Sequence, residues 1–388
     1  MDLVPRTFCL DPEVLARNRG RVRAGDPALA PAAATLRRDA DAARTAGPFT
    51  VVDKAVPAPS GDPHDYVSFG PYWWPDPETP DGLPYIRRDG ERNPEFEDPA
   101  RSDSPRLHAL VEAVSALAEA YYLLGDVSYA ERAAMLLRTW FLEPATRMNP
   151  HLEYGQAIPG RVTGRGIGII DTSRLVSLVD DVGMLRGAPG WRPEDEAGVA
   201  AWFGAYLHWL LTSGHGRDER AAANNHGTWY DAQAASYALL AGREDLARDT
   251  VAGARALRID SQIEPDGRQP HELARTRALS YSVFNLRALV CLAAIGEQVG
   301  VDLWRYRSPA GGSIRAAIDW LLPYAGGQAE WQYPQITPFD PLDLLPILYR
   351  ARAAYGGDRY SEAIARLDTE RVAAARATLL YSAGADVR

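Results

Sequence analysis

Cysteine is almost missing from this chain. Its only two, Cys9 and Cys291, are too few and too far apart for a disulfide framework or a thiolate zinc site, and are expected as unpaired thiols. No apolar run approaches the roughly 20 residues that span a bilayer. The first residues, Met1-Asp2-Leu3-Val4-Pro5-Arg6, open with an acid and a proline where an export signal carries a basic region and an apolar stretch. Neither a span nor a signal is visible, and the compartment stays open. A surplus of positive charge is also lacking. With a formal net charge of −9, non-specific nucleic-acid binding is disfavoured, and attraction for a polyanion has to be local. Phe is scarce at 8, against 10 Trp and 18 Tyr. Rings with a polar handle suit sugar clefts, although large cores use them too.

Sustained strand alternation is hard to find, whereas helical periodicity is plentiful. Leu107, Leu110, Val111, Val114, Leu117, Ala118 and Tyr121 recur at three and four, with Pro105 at a first helical position and Gly125 after the last periodic residue. A second helix over Tyr129–Trp140 closes a hairpin. Similar stripes predict helices over Thr172–Leu185, Pro193–Leu211, Trp229–Ala241, Leu246–Arg258, Leu273–Gly300, Ser313–Leu322, Pro341–Tyr355 and Ser361–Leu367. No composition break falls between residues 104 and 370, so the expectation is one all-α domain of stacked helical hairpins filling residues 1–388. No repeat of fixed length appears, which favours a closed or partly closed toroid over a regular solenoid.

The exception is residues 55–105. Pro57, Pro59, Pro63, Pro71, Pro75, Pro77, Pro80, Pro84, Pro94 and Pro99 rule out a helix interior. Long ordered loops in compact domains are usually functional. This one carries Tyr66, Tyr72, Trp73, Trp74 and Tyr85, which makes it a candidate lid over a cleft. Adjacent Trp73 and Trp74 on an extended segment face opposite ways, so one can stack on a sugar while the other packs inward.

Two clusters carry chemistry. In Ala223-Asn224-Asn225-His226-Gly227-Thr228-Trp229-Tyr230-Asp231, a doubled amide meets an imidazole at a helix start. Helix capping explains one asparagine and leaves the second amide and the ring unassigned. In Arg275-Thr276-Arg277-Ala278-Leu279-Ser280-Tyr281, a cation and a phenol lie six apart, off one face of a regular helix. A bend between them would let both reach one cleft; otherwise the arginines form a solvated stripe and Tyr281 packs inside. Amide and cation would neutralise a carboxylate while a proton is taken beside it, with cationic Arg275 favouring the Tyr281 phenolate. His271 and Glu272 could begin a metal site, but no third ligand has recognisable spacing, and neither metal nor cofactor is expected.

Four blocks resemble the alginate lyase domain family, in the same order across residues 60–345: HDYVSFGPYWWPDPETPDGLPYIRRDGERNP from His64, NPHLEYGQAIPGRVTGRGIGIIDTSRL from Asn149, NNHGTWYD from Asn224 and ELARTRALSY from Glu272. The resemblance implies an (α/α) toroid, or incomplete barrel, with Asn225, His226, Arg275 and Tyr281 as catalytic residues. It implies β-elimination on an anionic polysaccharide, and mostly exported relatives. Candidate substrate contacts are Tyr72, Trp73, Trp74, Gln156, Arg165, Asn224, Arg277 and Trp331, the last in a rim-like Trp331-Gln332-Tyr333-Pro334-Gln335; His151 is a weaker candidate. Arginine and tyrosine stand one residue closer than in the alginate-specific branch. That makes Arg277 a rival to Arg275, and the spacing closer to a sister branch that includes glucuronan lyases. Two other readings compete: a glycoside hydrolase using two of Asp171, Asp231, Glu264 and Asp266, and a non-catalytic uronan-binding protein.

Overall fold

The computed structural model describes residues 4–383. Its frame is helical, and most predicted helices appear within a few residues of their expected ends. Helix α3 (Ser104–Leu124) begins with Pro105 in its first turn and stops at Gly125, whose φ of 92° lets the chain turn off the helix. Its periodic apolar residues are buried. Then follow α4 (Val127–Phe141), α5 (Leu175–Met184), α6 (Pro193–Thr212), α7 (Gly214–Arg220), α8 (Asn225–Leu240) and α9 (Glu244–Ala254). A π-helical turn, Arg255–Asp260, extends α9.

Five helices were not expected: α7, two short ones over Thr369–Ala374 and Arg376–Tyr381, and two near the N-terminus. These last are α1 (Pro12–Arg23), capped by Asp11 accepting from the N–H groups of Glu13 and Val14, and α2 (Ala30–Ala43). Helix α2 buries Ala32, Leu36, Ala40 and Ala43, a stripe so rich in alanine that apolar periodicity is weak. The expected helix 273–300 divides into a short α10 (Pro270–Leu273) and α11 (Ala278–Val299). That break is the bend the Arg275–Tyr281 spacing required. Towards the C-terminus lie α12 (Ile314–Ala325), α13 (Leu345–Tyr355), α14 (Asp358–Ala365), α15 (Thr369–Ala374) and α16 (Arg376–Tyr381).

Helices α3, α5, α8 and α11 pack each on the next as an inner ring, backed by α2, α4, α6 and α9. Helices α13, α16 and α1 carry the ring from α11 back to α3, which closes an α/α toroid. One buried cluster runs through it from Phe8 to Leu379. Helices α3 and α11 are long and apolar enough to cross a membrane, which corrects the expectation that no stretch came close; both are mostly buried inside the toroid.

The cysteines also differ from expectation, for Cys9 and Cys291 form a disulfide with Cα atoms 4.8 Å apart. Asp180 on α5 accepts the backbone N–H groups of Phe8, Cys9 and Leu10 at 2.6–3.0 Å and so lays the N-terminal segment against α11. A separation of 282 residues leaves no local sign of such a pair.

Residues 55–105 carry β1 (Val67–Phe69), β2 (Trp73–Trp74) and β3 (Ile86–Arg87). Strands β2 and β3 form an antiparallel pair, while β1 runs parallel to β4 (Tyr154–Ala157). The second pairing joins the proline-rich segment to the Asn149 block.

Candidate active site

The first turn of α8 is built around an extended Asn224, whose C=O accepts the N–H of Gly227 at 3.0 Å. Its side chain makes no capping bond and lines the main cavity. Gly227 is required by crowding, since a Cβ there would lie 2.2 Å from the Ala222 carbonyl oxygen and 2.4 Å from Arg258 Nη1. Arg258 is itself fixed by a buried ion pair with Asp231 at 2.8 Å and by the carbonyls of Arg220 and Ala222. A charged strut inside the ring therefore holds the turn that presents Asn224, Asn225 and His226.

Both of the next two side chains rest on buried glutamates. Asn225 donates its backbone N–H and its Nδ2 to the two oxygens of Glu272, each at 2.7 Å. His226 Nδ1 lies 2.7 Å from Glu219 Oε1. Each glutamate is 1% exposed. A carboxylate only accepts, so Nδ1 carries the proton and Nε2 is left for the cavity. Sequence reasoning missed Glu219, and weighed Glu272 only as half of a metal pair with His271. That pair is split, for His271 is exposed and Glu272 faces Asn225; no metal-binding cluster occurs among the described residues.

The α10–α11 break brings Arg275 over the Tyr281 ring, 4.0 Å from guanidinium carbon to centroid. Arg275 also grips Asp89, with Nη2 and Nε at 2.9 and 3.2 Å from its carboxylate. Thr276 Oγ1 donates to the same residue. Gly90 allows this docking: its φ is +80°, and a Cβ there would stand 2.4 Å from Thr276 Oγ1. Burial works to raise the Asp89 carboxyl, yet the hydrogen bonds and charge of Arg275, then Arg87, hold it down at about 2. Asp89 had no signal in the sequence beyond its place in the aromatic segment. The phenol oxygens of Tyr72 and Tyr281 are 2.7 Å apart. Burial raises the Tyr281 phenol and Tyr72 adds to the rise, while Arg275 pulls it down. Arg275 thus favours the phenolate as expected, but burial and Tyr72 outweigh it.

Arg277 differs from its neighbour. It lines the cavity with no ion pair recorded among the described residues, and its Nε is buried without a hydrogen-bond partner.

Gln156 sits at a φ of 49°, in the left-handed region, and its amide is held between Asp171 Oδ1 at 2.8 Å and Arg165 Nη2 at 3.1 Å. Burial lowers Arg165 to about 10. The guanidinium groups of Arg161 and Arg165 lie over the Trp73 ring at 5.3 and 5.9 Å.

One cavity of about 1170 Å³ is lined by Asn224, Asn225, His226, Arg275, Arg277, Tyr281, Tyr72, Trp73, Gln156 and Arg165. All four expected catalytic residues are thus brought to one space. Two expected contacts are not. Trp74 turns away from Trp73, donates Nε1 to the Glu91 carbonyl and stacks with Arg88. Trp331 packs edge-on against Trp320 and Tyr324, because this part of the chain folds onto α12 instead of the cleft rim. His151 is also elsewhere, bound to Asp65 at 3.0 Å. Of the four carboxylates a hydrolase could use, only Asp171 lines the cavity, and it is held by Tyr66, Ser68 and Gln156.

A helical toroid with this cleft matches known polysaccharide lyases. The sequence profile of the alginate lyase family matches residues 50–331. A crystal structure of an alginate lyase from Bacteroides ovatus is similar at 42% identity, over 98% of this chain and 100% of the other, with a TM-score of 0.93. Alginate lyase A1-III, in a variant complexed with tetrasaccharide, shares the fold at 17% identity over 97% and 96% of the two chains, with a TM-score of 0.61. The A1-III crystal structure from Sphingomonas species A1 shares it at 15% identity over 90% and 96%, with a TM-score of 0.54. No curated protein sequence matches the chain. The chain belongs to the alginate lyase family and is a polysaccharide lyase.

Proposed function

We propose that this protein cleaves a β-1,4-linked uronic acid polymer, mannuronan (as in alginate) or glucuronan, by β-elimination. The observation that carries the reading is Tyr281: its phenol faces the cavity beneath a guanidinium 4.0 Å away, in the same space as the Asn225–His226 pair. The Tyr281 phenolate takes H5, and the electrons of that bond form C4=C5 as the C4–O4 bond breaks. Tyr281 then returns the proton to the leaving O4, so one new reducing chain end and one 4,5-unsaturated uronyl end result. Asn225, and His226 when its Nε2 is also protonated, hold the C6 carboxylate, whose charge grows as H5 leaves. Arg275, stacked on the ring, favours the phenolate; Arg277, without a carboxylate partner, is free to meet the substrate's. Tyr72, Trp73, Gln156, Arg165 and Asn224 shape the sugar contacts, and the segment 55–105 acts as their lid.

In mannuronate and glucuronate, H5 and O4 lie on one ring face, within reach of one group. Guluronate, the C5 epimer, places them on opposite faces and would need His226 Nε2 as a second base. The test is incubation with polymannuronate, polyguluronate, glucuronan and hyaluronan, with unsaturated products followed by ultraviolet absorbance and mass. Faster product formation from polymannuronate or glucuronan than from polyguluronate is expected. New reducing ends without the C4=C5 chromophore would instead show hydrolysis.

A further inference from the structure

We propose that Glu272 is a positioning residue that sets which hydrogen of Asn225 faces the substrate. The inference rests on the catalytic role of Asn225 given above and adds a residue behind it. Glu272 is 1% exposed, and both of its oxygens are spent on a single neighbour: Oε1 on the backbone N–H of Asn225 and Oε2 on its Nδ2, each at 2.7 Å. A carboxamide has two nearly isosteric ends, one donating and one accepting. Facing an acceptor-only carboxylate, it must turn its nitrogen inward. One Nδ2 hydrogen is then committed to Glu272, and the second is the only one the side chain can offer to an anion in the cavity. The backbone bond fixes the same residue at the helix start, so neither the rotamer nor the amide polarity is free.

Burial raises this carboxyl, and the two Asn225 donors with the nearby charges of Arg275 and His226 offset part of that rise. A residue that only filled space here would not need to be ionisable. Glu272 also lies three residues before Arg275, so the short α10 that carries it ties the Asn225 end of the site to the Arg275 end.

The test is a double-mutant cycle on kcat/KM, with melting temperature as the folding control. Glu272→Gln keeps shape and removes charge. Its amide accepts at one end only, so either the Asn225 carboxamide turns over or the Asn225 backbone N–H loses its acceptor. Glu272→Gln is expected to lower kcat/KM by about 10- to 100-fold, as misplacing a reactive contact does. In an Asn225→Ala background the same change is expected to cost less than about threefold, because its target is gone. Equal losses in both backgrounds, or a Glu272→Gln enzyme within about threefold of the parent, would overturn the inference. If the Gln variant does not fold, Glu272→Asp, which keeps the charge and withdraws the oxygens by one methylene, is put through the same cycle with the same criteria. An Asn225→Ala enzyme of full activity would instead remove the catalytic role on which the inference rests.

Discussion

Tyr281 is one hydroxyl group on which the proposed chemistry turns. Tyr281→Phe removes that group with little change of shape, so kcat is expected to fall by about 10²–10⁴ while polymer binding persists; a phenylalanine enzyme with near-parental kcat would place the base elsewhere. Because burial and Tyr72 raise the phenol, the phenolate is scarce at neutral pH and its share grows as pH rises. The kcat/KM of the parent enzyme is therefore expected to climb with pH, by up to about tenfold per unit on the acid side of the phenol's ionisation. A profile flat from pH 6 to 9 would count against Tyr281 as the free enzyme's base. The two arginines should separate by parameter. Arg275→Ala removes the cation over the ring and is expected to lower kcat, whereas Arg277→Ala removes a cation facing the cavity and is expected to raise KM. If Arg277→Ala alone damages kcat, the neutralising roles are exchanged.

At the scale of elements, the proline-rich segment owes its placement to a few polar contacts. Asp89 reaches Arg275 and Thr276, Tyr72 reaches Tyr281, and β1 pairs with β4. Asp89→Ala is expected to open residues 70–94 to limited proteolysis and, if the segment acts as the proposed lid, to lower kcat/KM by about tenfold. Unchanged cleavage would show that other contacts suffice. Asp89 has its carboxyl lowered from 3.8 to about 2, so the stability it adds is present above about pH 4 and is lost as pH falls towards 2. The neighbouring tryptophans give an internal control: Trp73→Ala should raise KM, while Trp74→Ala and Trp331→Ala should leave KM alone and act on stability, since their rings pack on protein. Alternation along an extended segment made it legible that Trp73 and Trp74 part ways, although not which of them faces the cavity.

For the molecule as a whole, closure of the ring depends on the chain ends. Helices α1 and α16 lie between α13 and α3, Asn18 donates to the Leu379 carbonyl at 2.9 Å, and Cys9 is bonded to Cys291 on the helix that begins with the Tyr281 turn. Cys9→Ala is expected to cost about 2–4 kcal/mol of stability, read as a lower melting temperature, because the unfolded chain regains the freedom of a very long loop. With the inner ring intact, kcat should be unchanged; equal melting of parent and variant would show that Asp180 and packing already hold the N-terminal segment.

Helical periodicity is a local property, and the sequence by itself determined most of the longer helices from Ser104 onward, the exclusion of a long helix from residues 55–105, and the Asn225–His226 and Arg275–Tyr281 clusters. Those clusters were legible because their residue types fit poorly with simple capping or packing. Alanine-rich α2 was not legible, since burial of small side chains leaves little amphipathic contrast. Only the tertiary structure decided that Glu272 and Glu219 stand behind Asn225 and His226, that Asp89 holds Arg275 and that Cys9 meets Cys291. These are contacts between residues 7, 47, 186 and 282 positions apart, and a carboxylate carries no mark in the sequence of the donor it will meet.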